Sequence, residues 1–144
     1  SGCDDVGGDP CQWVRYEPGY AYLFDVEAMK PYRGSMNPKD FPAPDYVSGE
    51  TEWIAQKTSW GLCQLMGAVA RELLYPEKFL TGLCDPVTGA EYGARLIARI
   101  MNKHKDPMEI ASIYNHGHVV QNLAGDKYVM SLTNLHQRFS TSGF

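Results

Sequence analysis

The stretch TSWGLCQLMGAVARELL, from Thr58 to Leu74, carries the strongest structural signal in the chain. Its apolar residues recur at spacings of three and four, which is typical of a helix with one buried face. These residues are Leu62, Leu65, Met66, Val69 and Leu73. We predict a helix that is capped by Ser59 and ends before Pro76, because proline cannot continue a helix. Small and polar residues stand at its entrance: Ser59, Gly61, Cys63 and Gln64.

Three more helices are predicted downstream. Asp85 followed by Pro86 is a start signal, since Asp caps a helix and Pro at the first helical position loses nothing by lacking an N–H. Gly89 and Gly93 would each cost about 1 kcal/mol in an exposed helix, so we expect another backbone to lie close to them. The predicted apolar face of this helix is Ala90, Ala94, Ile97 and Met101.

The remaining two helices carry similar signals. The KDP run at Lys105–Pro107 predicts a helix that ends near Tyr114. The last helix is expected from about Asp126 to Phe139. Three of its residues are spaced for burial: Tyr128, Leu132 and Leu135.

The first third of the chain has a different character. Six of the nine prolines lie before Gly49, and proline-rich segments favour loops. Tyr20–Met29 is predicted as a short helix, and Asn37–Tyr46 as an extended surface connection. No useful β-alternation is present. We therefore expect a mainly α, single domain over residues 1–144, with a loop-rich part at 1–58 and a helical body at 59–139.

Composition excludes several classes of protein. The chain has 144 residues, which suits one domain, and its net charge of −4 is spread without the basic cluster that a nucleic-acid surface needs. No apolar run approaches the ~18 residues of a membrane span, and no leader precedes Asp9, so the chain is expected to be soluble as given or to have lost a leader. The four cysteines show no metal-binding spacing, and no metal or other cofactor is expected. Cys63 and Cys84 are interpreted as structural thiols, and pairing of Cys3 with Cys11 stays open.

Carboxylates are the main candidates for chemistry, because cleavage of a glycosidic bond needs a carboxylic acid to protonate the leaving oxygen. Those outside the predicted helix faces are Asp4, Asp5, Asp9, Glu17, Glu50 and Glu52. No Gly-x-Ser-x-Gly elbow and no Gly-rich phosphate loop before a lysine is present, which disfavours acyl and phosphoryl transfer. The IYNHG segment, Ile113–Gly117, is explained locally as a helix C-cap.

The motifs in combination are more informative than any one of them. The motifs follow one another along the chain in a fixed order. They are RYEP at Arg15–Pro18, then SWGLCQLMGAVARELL, LCDPVTGAEYGARLIARI and SIYNHG, and finally Tyr128. Over about Gly8–Phe139 this pattern resembles the goose-type lysozyme and soluble lytic transglycosylase superfamily, especially its bacteriophage-associated members. The resemblance implies a monomeric lysozyme-like domain that cleaves the glycan strands of peptidoglycan at the bacterial cell wall, as a virion-associated, periplasmic or secreted protein.

The resemblance also implies a set of substrate-binding residues. Gly61, Leu62, Cys63 and Gln64 match a Gly-Leu-Met-Gln segment that forms one wall of the glycan cleft, with Cys63 in place of methionine. Ser59 matches a serine near the catalytic acid. Tyr114 and Asn115 match a Tyr-Asn pair that faces the acid and the sugar, and Tyr128 matches a later tyrosine of the same pocket. Amides and hydroxyls can bind sugar hydroxyls and N-acetyl groups, and aromatic rings supply an apolar floor.

The catalytic acid is where the chain departs from the family pattern. The family acid is the glutamate of a Glu-Ser pair, and this chain has no such pair. Alignment on GGDP puts Asp5 in that place, alignment on RYEP puts Val6 there, and a third alternative is a glutamate that preceded Ser1. Glu52 is a candidate second carboxylate. Glu17 is a further candidate, for which an ion pair with Arg15 is the competing interpretation.

The implied mechanism is general acid/base catalysis at the bond between N-acetylmuramic acid and N-acetylglucosamine. The acid protonates the glycosidic oxygen, then accepts the proton of the muramic C6 hydroxyl as that oxygen closes onto C1, which gives a 1,6-anhydro product. A hydrolase would need a second carboxylate to activate water. Two alternatives stay open: an inactive glycan-binding domain, for instance part of a virion, and a chitinase-like hydrolase of the same fold.

Overall fold

The structure is a computed structural model that describes residues 13–35 and 37–142. It is mainly helical, as predicted, with small sheets. The described helices are α1 (Gly49–Gln56), α2 (Gly67–Glu72), α3 (Pro86–Met101), α4 (Pro107–His116) and α5 (Lys127–Thr141). The strands are β1 (Arg15–Tyr16), β2 (Phe24–Asp25), β3 (Lys30–Pro31), β4 (Thr58–Trp60) and β5 (Leu65–Met66). Short 3-10 helices lie at Pro38–Asp40, Leu80–Cys84 and Leu123–Gly125.

The chain forms two compact units, Ser1–Gly93 and Ala94–Phe144, and the division falls within α3. The first unit holds both sheets together with α1 and α2. The second holds α4 and α5, which pack against each other. None of the described helices has the length and apolar character needed to cross a membrane.

The Thr58–Leu74 stretch forms a hairpin followed by a short helix, so the predicted helix from Ser59 is wrong over its first half. β4 pairs antiparallel with β5, and β1 pairs antiparallel with the other edge of β4. The chain reverses between them because Gly61 and Gln64 have φ angles of 63° and 47°, which no α-helix contains. Of the apolar residues predicted to share a buried helix face, Leu65 is buried in β5, whereas Leu62 lies in the turn and is exposed. Helix α2 begins only at Gly67.

Helix α1 lies inside the part that the sequence predicted as loop-rich. Ser48 caps it, with its side-chain oxygen accepting a hydrogen bond from the Thr51 N–H at 3.2 Å. The buried face is largely polar, since Glu52 and Gln56 lie on it beside Trp53. Because polar residues occupy its buried face, this helix has no apolar repeat of 3.6 residues, and the sequence did not predict it.

A buried amide fixes β2 against α1. Gln56 Oε1 accepts from the Phe24 N–H at 2.8 Å, and Gln56 Nε2 donates to the Phe24 carbonyl at 2.9 Å. Tyr20–Met29 is therefore not the predicted helix: it contains β2, which pairs antiparallel with β3 through a turn. Asp25 accepts from two N–H groups of that turn.

The predicted surface connection at Asn37–Tyr46 contributes a core residue. Phe41 is buried and forms a cluster with Leu23 and Trp53. Its ring meets the Trp53 ring edge-to-face at a centroid distance of 5.3 Å, and it meets the ring of the partly buried Tyr32 at 4.7 Å. The prediction of an extended surface connection is therefore wrong in two respects, since the segment contains the 3-10 helix at Pro38–Asp40 and a buried aromatic residue.

Helix α3 starts as predicted, with Asp85 Oδ2 accepting from the Thr88 N–H at 2.8 Å. The close backbone expected at Gly89 is also present, because a Cβ there would lie 2.7 Å from the Leu83 carbonyl oxygen. The predicted apolar face is wrong by one position. The buried residues are Gly89, Tyr92, Gly93, Leu96 and Ile100. Ala90, Ala94, Ile97 and Met101 are exposed.

The two helices of the second unit begin where their caps predict. Asp106 accepts from the Met108 N–H and Asp126 from the Val129 N–H, which starts α4 and α5 respectively. Helix α4 ends at His116, with Gly117 in the left-handed conformation at φ 78°. On α5 the buried residue is Val129, whereas Leu132 and Leu135, which were predicted to be buried, are exposed.

Candidate functional site

The turn Gly61–Gln64 at the end of the β4–β5 hairpin holds four of the predicted substrate-binding positions. The Gln64 N–H donates to the Gly61 carbonyl at 3.1 Å, which closes the turn. Gly61 is required on two grounds, a positive φ and a close approach: a Cβ there would lie 2.3 Å from the Leu83 carbonyl oxygen. The turn is thus seated on the backbone of the neighbouring 3-10 helix.

The Gln64 side chain links three parts of the first unit. Its Oε1 accepts from the Ser59 hydroxyl at 3.0 Å. Its Nε2 donates to the Gly61 carbonyl at 2.9 Å and to the Trp13 carbonyl at 2.6 Å. Both amide hydrogens and one lone pair of Oε1 are therefore engaged within the protein. Gln64 fixes the shape of the turn and ties the chain ahead of β1 to it.

The expectation that these residues face a sugar groove is corrected for two of them. Ser59 is only 3% exposed, and its hydroxyl lies against Gln64 and the Arg15 carbonyl. Gly61 is buried as well. Both residues shape the turn from within. Leu62 is 54% exposed, and Cys63 is partly exposed, so the turn presents these two side chains at its surface.

Glu52 does not have the environment of a cleft carboxylate, which corrects its assignment as a second catalytic group. The side chain is 1% exposed. Its Oε1 lies 2.8 Å from Arg71 Nε and its Oε2 lies 3.0 Å from Arg71 Nη2. Gln56 Nε2 donates to Oε1 at 2.9 Å. A bidentate ion pair and a further hydrogen bond occupy the two carboxylate oxygens. These oxygens therefore anchor α1 to α2 and are closed to a substrate.

Glu17 has the alternative role that the sequence offered. Arg15 Nε lies 2.5 Å from Glu17 Oε1, and the Arg15 side chain is largely exposed. The Glu17 N–H donates to the Lys57 carbonyl at 2.8 Å, which extends the contact between this segment and the end of α1. The carboxylate is an ion-paired group at the edge of the sheet. Asp5, the remaining catalytic candidate, lies outside the described residues.

The other predicted contacts lie in the second unit. Tyr114 and Asn115 are in the last turn of α4, and Tyr128 is in the first turn of α5. Asn115 is exposed, whereas both tyrosines are partly buried. The buried Ser112 holds the connection between the two helices, since its Oγ donates to the His118 carbonyl and accepts from the Val120 N–H, both at 2.9 Å.

A His-Asp pair beside Asn115 was not predicted from the sequence. His116 Nε2 lies 2.9 Å from Asp126 Oδ2 and 3.2 Å from Asn115 Nδ2. The hydrogen bond from the Val129 N–H holds the pKa of Asp126 below its ordinary value, and His116 adds to this effect. The sequence explained the IYNHG segment, which includes His116, locally as a helix C-cap. The partner of His116 stands ten positions later, so no local pattern could have indicated the pair.

A groove among the described residues lies apart from the candidate residues. An open groove of about 450 Å³ borders the β2–β3 hairpin, and its lining includes Met29, Asp45 and Leu74. None of the substrate-binding candidates lines it.

Residues 13–35 and 37–142 contain no group of three or more His, Cys, Asp or Glu side chains arranged to hold a metal ion.

Comparison of the chain with family models, with curated proteins and with solved structures finds no match.

Proposed function

We propose that this chain cleaves the glycan strands of peptidoglycan at the β-1,4 bond between N-acetylmuramic acid and N-acetylglucosamine, in a lysozyme-like domain. The observation that carries the proposal is the internal bonding of the Ser59–Gln64 segment. Ser59, Gly61 and Gln64 are joined through one amide into a rigid turn. Such a turn suits a cleft wall, because a fixed wall loses little conformational freedom when a polymer binds against it.

The proposed acid is Asp5. Of the three carboxylates considered, Glu17 and Glu52 are held in ion pairs. Asp5 would protonate the glycosidic oxygen and then accept the proton of the C6 hydroxyl, which gives a 1,6-anhydro product. Asp is one methylene shorter than Glu, and a displacement of ~1 Å can cost about 100-fold in rate, so we expect slow turnover.

The remaining roles follow from side-chain chemistry. Leu62 and Cys63 would contact the sugar from the turn. In the second unit, taken by itself, the Asn115 amide would bind N-acetyl or hydroxyl groups of a glycan, and the rings of Tyr114 and Tyr128 would supply apolar surface. The proposed partner is a peptidoglycan strand, bound by a monomer at the bacterial cell wall.

The test is incubation with purified peptidoglycan and mass spectrometry of the released fragments. Anhydro-muropeptides would support the proposal, and hydrated reducing ends would indicate a hydrolase. Asp5→Asn should abolish release. Asp4→Asn is the matched control, because it removes the same charge one residue away and should retain activity. Equal turnover of Asp5→Asn and the wild type would exclude Asp5 as the acid.

A second candidate is an inactive glycan-binding domain of the same fold. The specific observation in its favour is that the two catalytic candidates within the described residues, Glu17 and Glu52, are engaged by arginines. This candidate predicts co-sedimentation with insoluble peptidoglycan and no released fragments. Cleavage of N-acetylglucosamine polymers that lack the lactyl group would instead indicate the chitinase-like alternative.

A further inference from the structure

Asp126 uses its two carboxylate oxygens for different partners. Oδ1 accepts from the Val129 N–H at 2.9 Å and so caps α5. Oδ2 lies 2.9 Å from His116 Nε2, at the last residue of α4. One carboxylate thus joins the end of α4 to the start of α5.

Asn115 competes for the same imidazole nitrogen. Its Nδ2 lies 3.2 Å from His116 Nε2. In a neutral imidazole one nitrogen donates and the other accepts. If Nε2 carries the hydrogen, it donates to Asp126 and cannot accept from Asn115. If Nε2 has no hydrogen, it accepts from Asn115, and Asp126 Oδ2 faces a lone pair.

The surroundings favour one of these two states. An ionised carboxylate accepts hydrogen bonds and does not donate them. The Val129 N–H and His116 both favour the ionised form of Asp126, whose pKa is lowered. The other nearby histidine does not compete, since His118 Nδ1 lies 3.1 Å from the His116 carbonyl oxygen. The hydrogen bonds of Ser112 to His118 and Val120 hold the segment between α4 and α5 in place.

We propose that Asp126 holds His116 in the form that carries its hydrogen on Nε2, and that this releases the Asn115 amide N–H to bind a carbonyl oxygen of a ligand. His116 and Asp126 are then positioning residues, which act through Asn115. The ligand carbonyl rests on the proposed function, where it is the N-acetyl group of a glycan. The tautomer itself does not depend on that function.

The first test is ¹⁵N NMR of the histidine rings of the whole chain at about pH 8, above the ordinary imidazole pKa of about 6.5. Nitrogen shifts distinguish the two tautomers. The wild type should show His116 with the hydrogen on Nε2. Asp126→Asn should move it to Nδ1, because the Asn amide donates to Nε2 while its oxygen still caps α5. Asp106→Asn, a change at the cap of α4, should leave His116 unaltered. A wild-type hydrogen on Nδ1, or an unchanged tautomer in Asp126→Asn, overturns the proposal.

The second test uses cleavage of soluble glycan strands. Loss of one ground-state hydrogen bond should raise KM about 3- to 10-fold with little change in kcat. Asn115→Ala should do so. Asp126→Ala should do so too, because His116 Nε2 then loses its acceptor and can accept the Asn115 N–H instead, and the double variant should be no worse than either alone. Adding His116→Leu to Asp126→Ala should restore KM, because the competing nitrogen is then absent. An unchanged KM in Asp126→Ala overturns the role of Asn115. If the wild type releases no fragments, the proposed function fails, and the NMR result alone decides the tautomer.

Discussion

Glu52 of α1 and Arg71 of α2 form a buried, two-pronged ion pair, with side chains that are 1% and 4% exposed. The guanidinium does more than neutralise the carboxylate. It also donates to the carbonyls of Tyr75, Glu77 and Lys78 at 3.3, 2.5 and 2.7 Å. Helix α2 ends only a few residues before these carbonyls, so Arg71 fixes the path of the chain beyond its own helix.

Replacing Glu52 by Gln should lower the free energy of unfolding by about 3–5 kcal/mol, because Arg71 would remain buried without its counter-charge. Urea denaturation followed by circular dichroism measures the loss. Glu50→Gln is the matched control, since it makes the same change in the same helix at an exposed position, where about 0.5 kcal/mol or less is expected. Near-equal effects of the two variants would contradict a structural role for Glu52.

Gly61 and Gly117 both have positive φ but differ in their surroundings. A Cβ on Gly61 would lie 2.3 Å from the Leu83 carbonyl oxygen, whereas a Cβ on Gly117 meets nothing within 4 Å. Gly117→Ala should therefore cost only the conformational term of about 1 kcal/mol. Gly61→Ala should cost about 1–3 kcal/mol more, from the forced shift of packed backbone. Denaturant midpoints of the two variants measure the difference, and equal losses of stability would argue against close packing of the turn on the Leu83 carbonyl.

The Tyr75 hydroxyl is buried and has no hydrogen-bond partner among the residues the structure describes. Burial, and to a lesser extent the Glu77 carboxylate, raises its pKa above the ordinary value of 10.0. Because the unfolded chain then loses this proton first, stability should fall as pH rises past about 10. Tyr75→Phe should remove the part of this loss of stability that the Tyr75 hydroxyl causes. It should also raise the free energy of unfolding by about 0.5–1 kcal/mol at neutral pH, since no unsatisfied hydroxyl is left buried.

Thermal unfolding at pH 7 and at about pH 10.5 tests this expectation. Tyr46→Phe is the control, because Tyr46 is 91% exposed and its hydroxyl pays no burial cost. A clear loss of stability in Tyr75→Phe at neutral pH would show that the hydroxyl has a partner that contributes to the fold.

The starts of α3, α4 and α5 were the most predictable part of the structure. Asp85, Asp106 and Asp126 each accept a hydrogen bond from an N–H two or three residues later. Such caps are made entirely within a short segment, so the sequence of that segment determines them. The buried face of α3 was less predictable, since both registers of its apolar residues fit a helical period.

The hairpin at Thr58–Met66 and helix α1 were not predictable in the same way. Gln64 takes a positive φ and binds the carbonyl of Trp13, 51 positions earlier in the chain. Glu52 and Gln56 are buried only because Arg71 and the Phe24 backbone supply partners. A pattern of apolar spacing contains neither kind of information.

The candidate site divides along the same line. Sequence alone picked out Ser59–Gln64 and Tyr114–Asn115 as unusual sets of residues. It placed the caps of α4 and α5, Asp106 and Asp126, near the second set, but it wrongly placed a helix cap at Ser59. Only the tertiary structure decided that Ser59 and Gly61 are buried, that Glu52 is closed by Arg71, and that His116 meets Asp126 beside Asn115. The physical reason is that a residue type fixes which hydrogen bonds a side chain can make, whereas burial and partners come from segments distant in the chain.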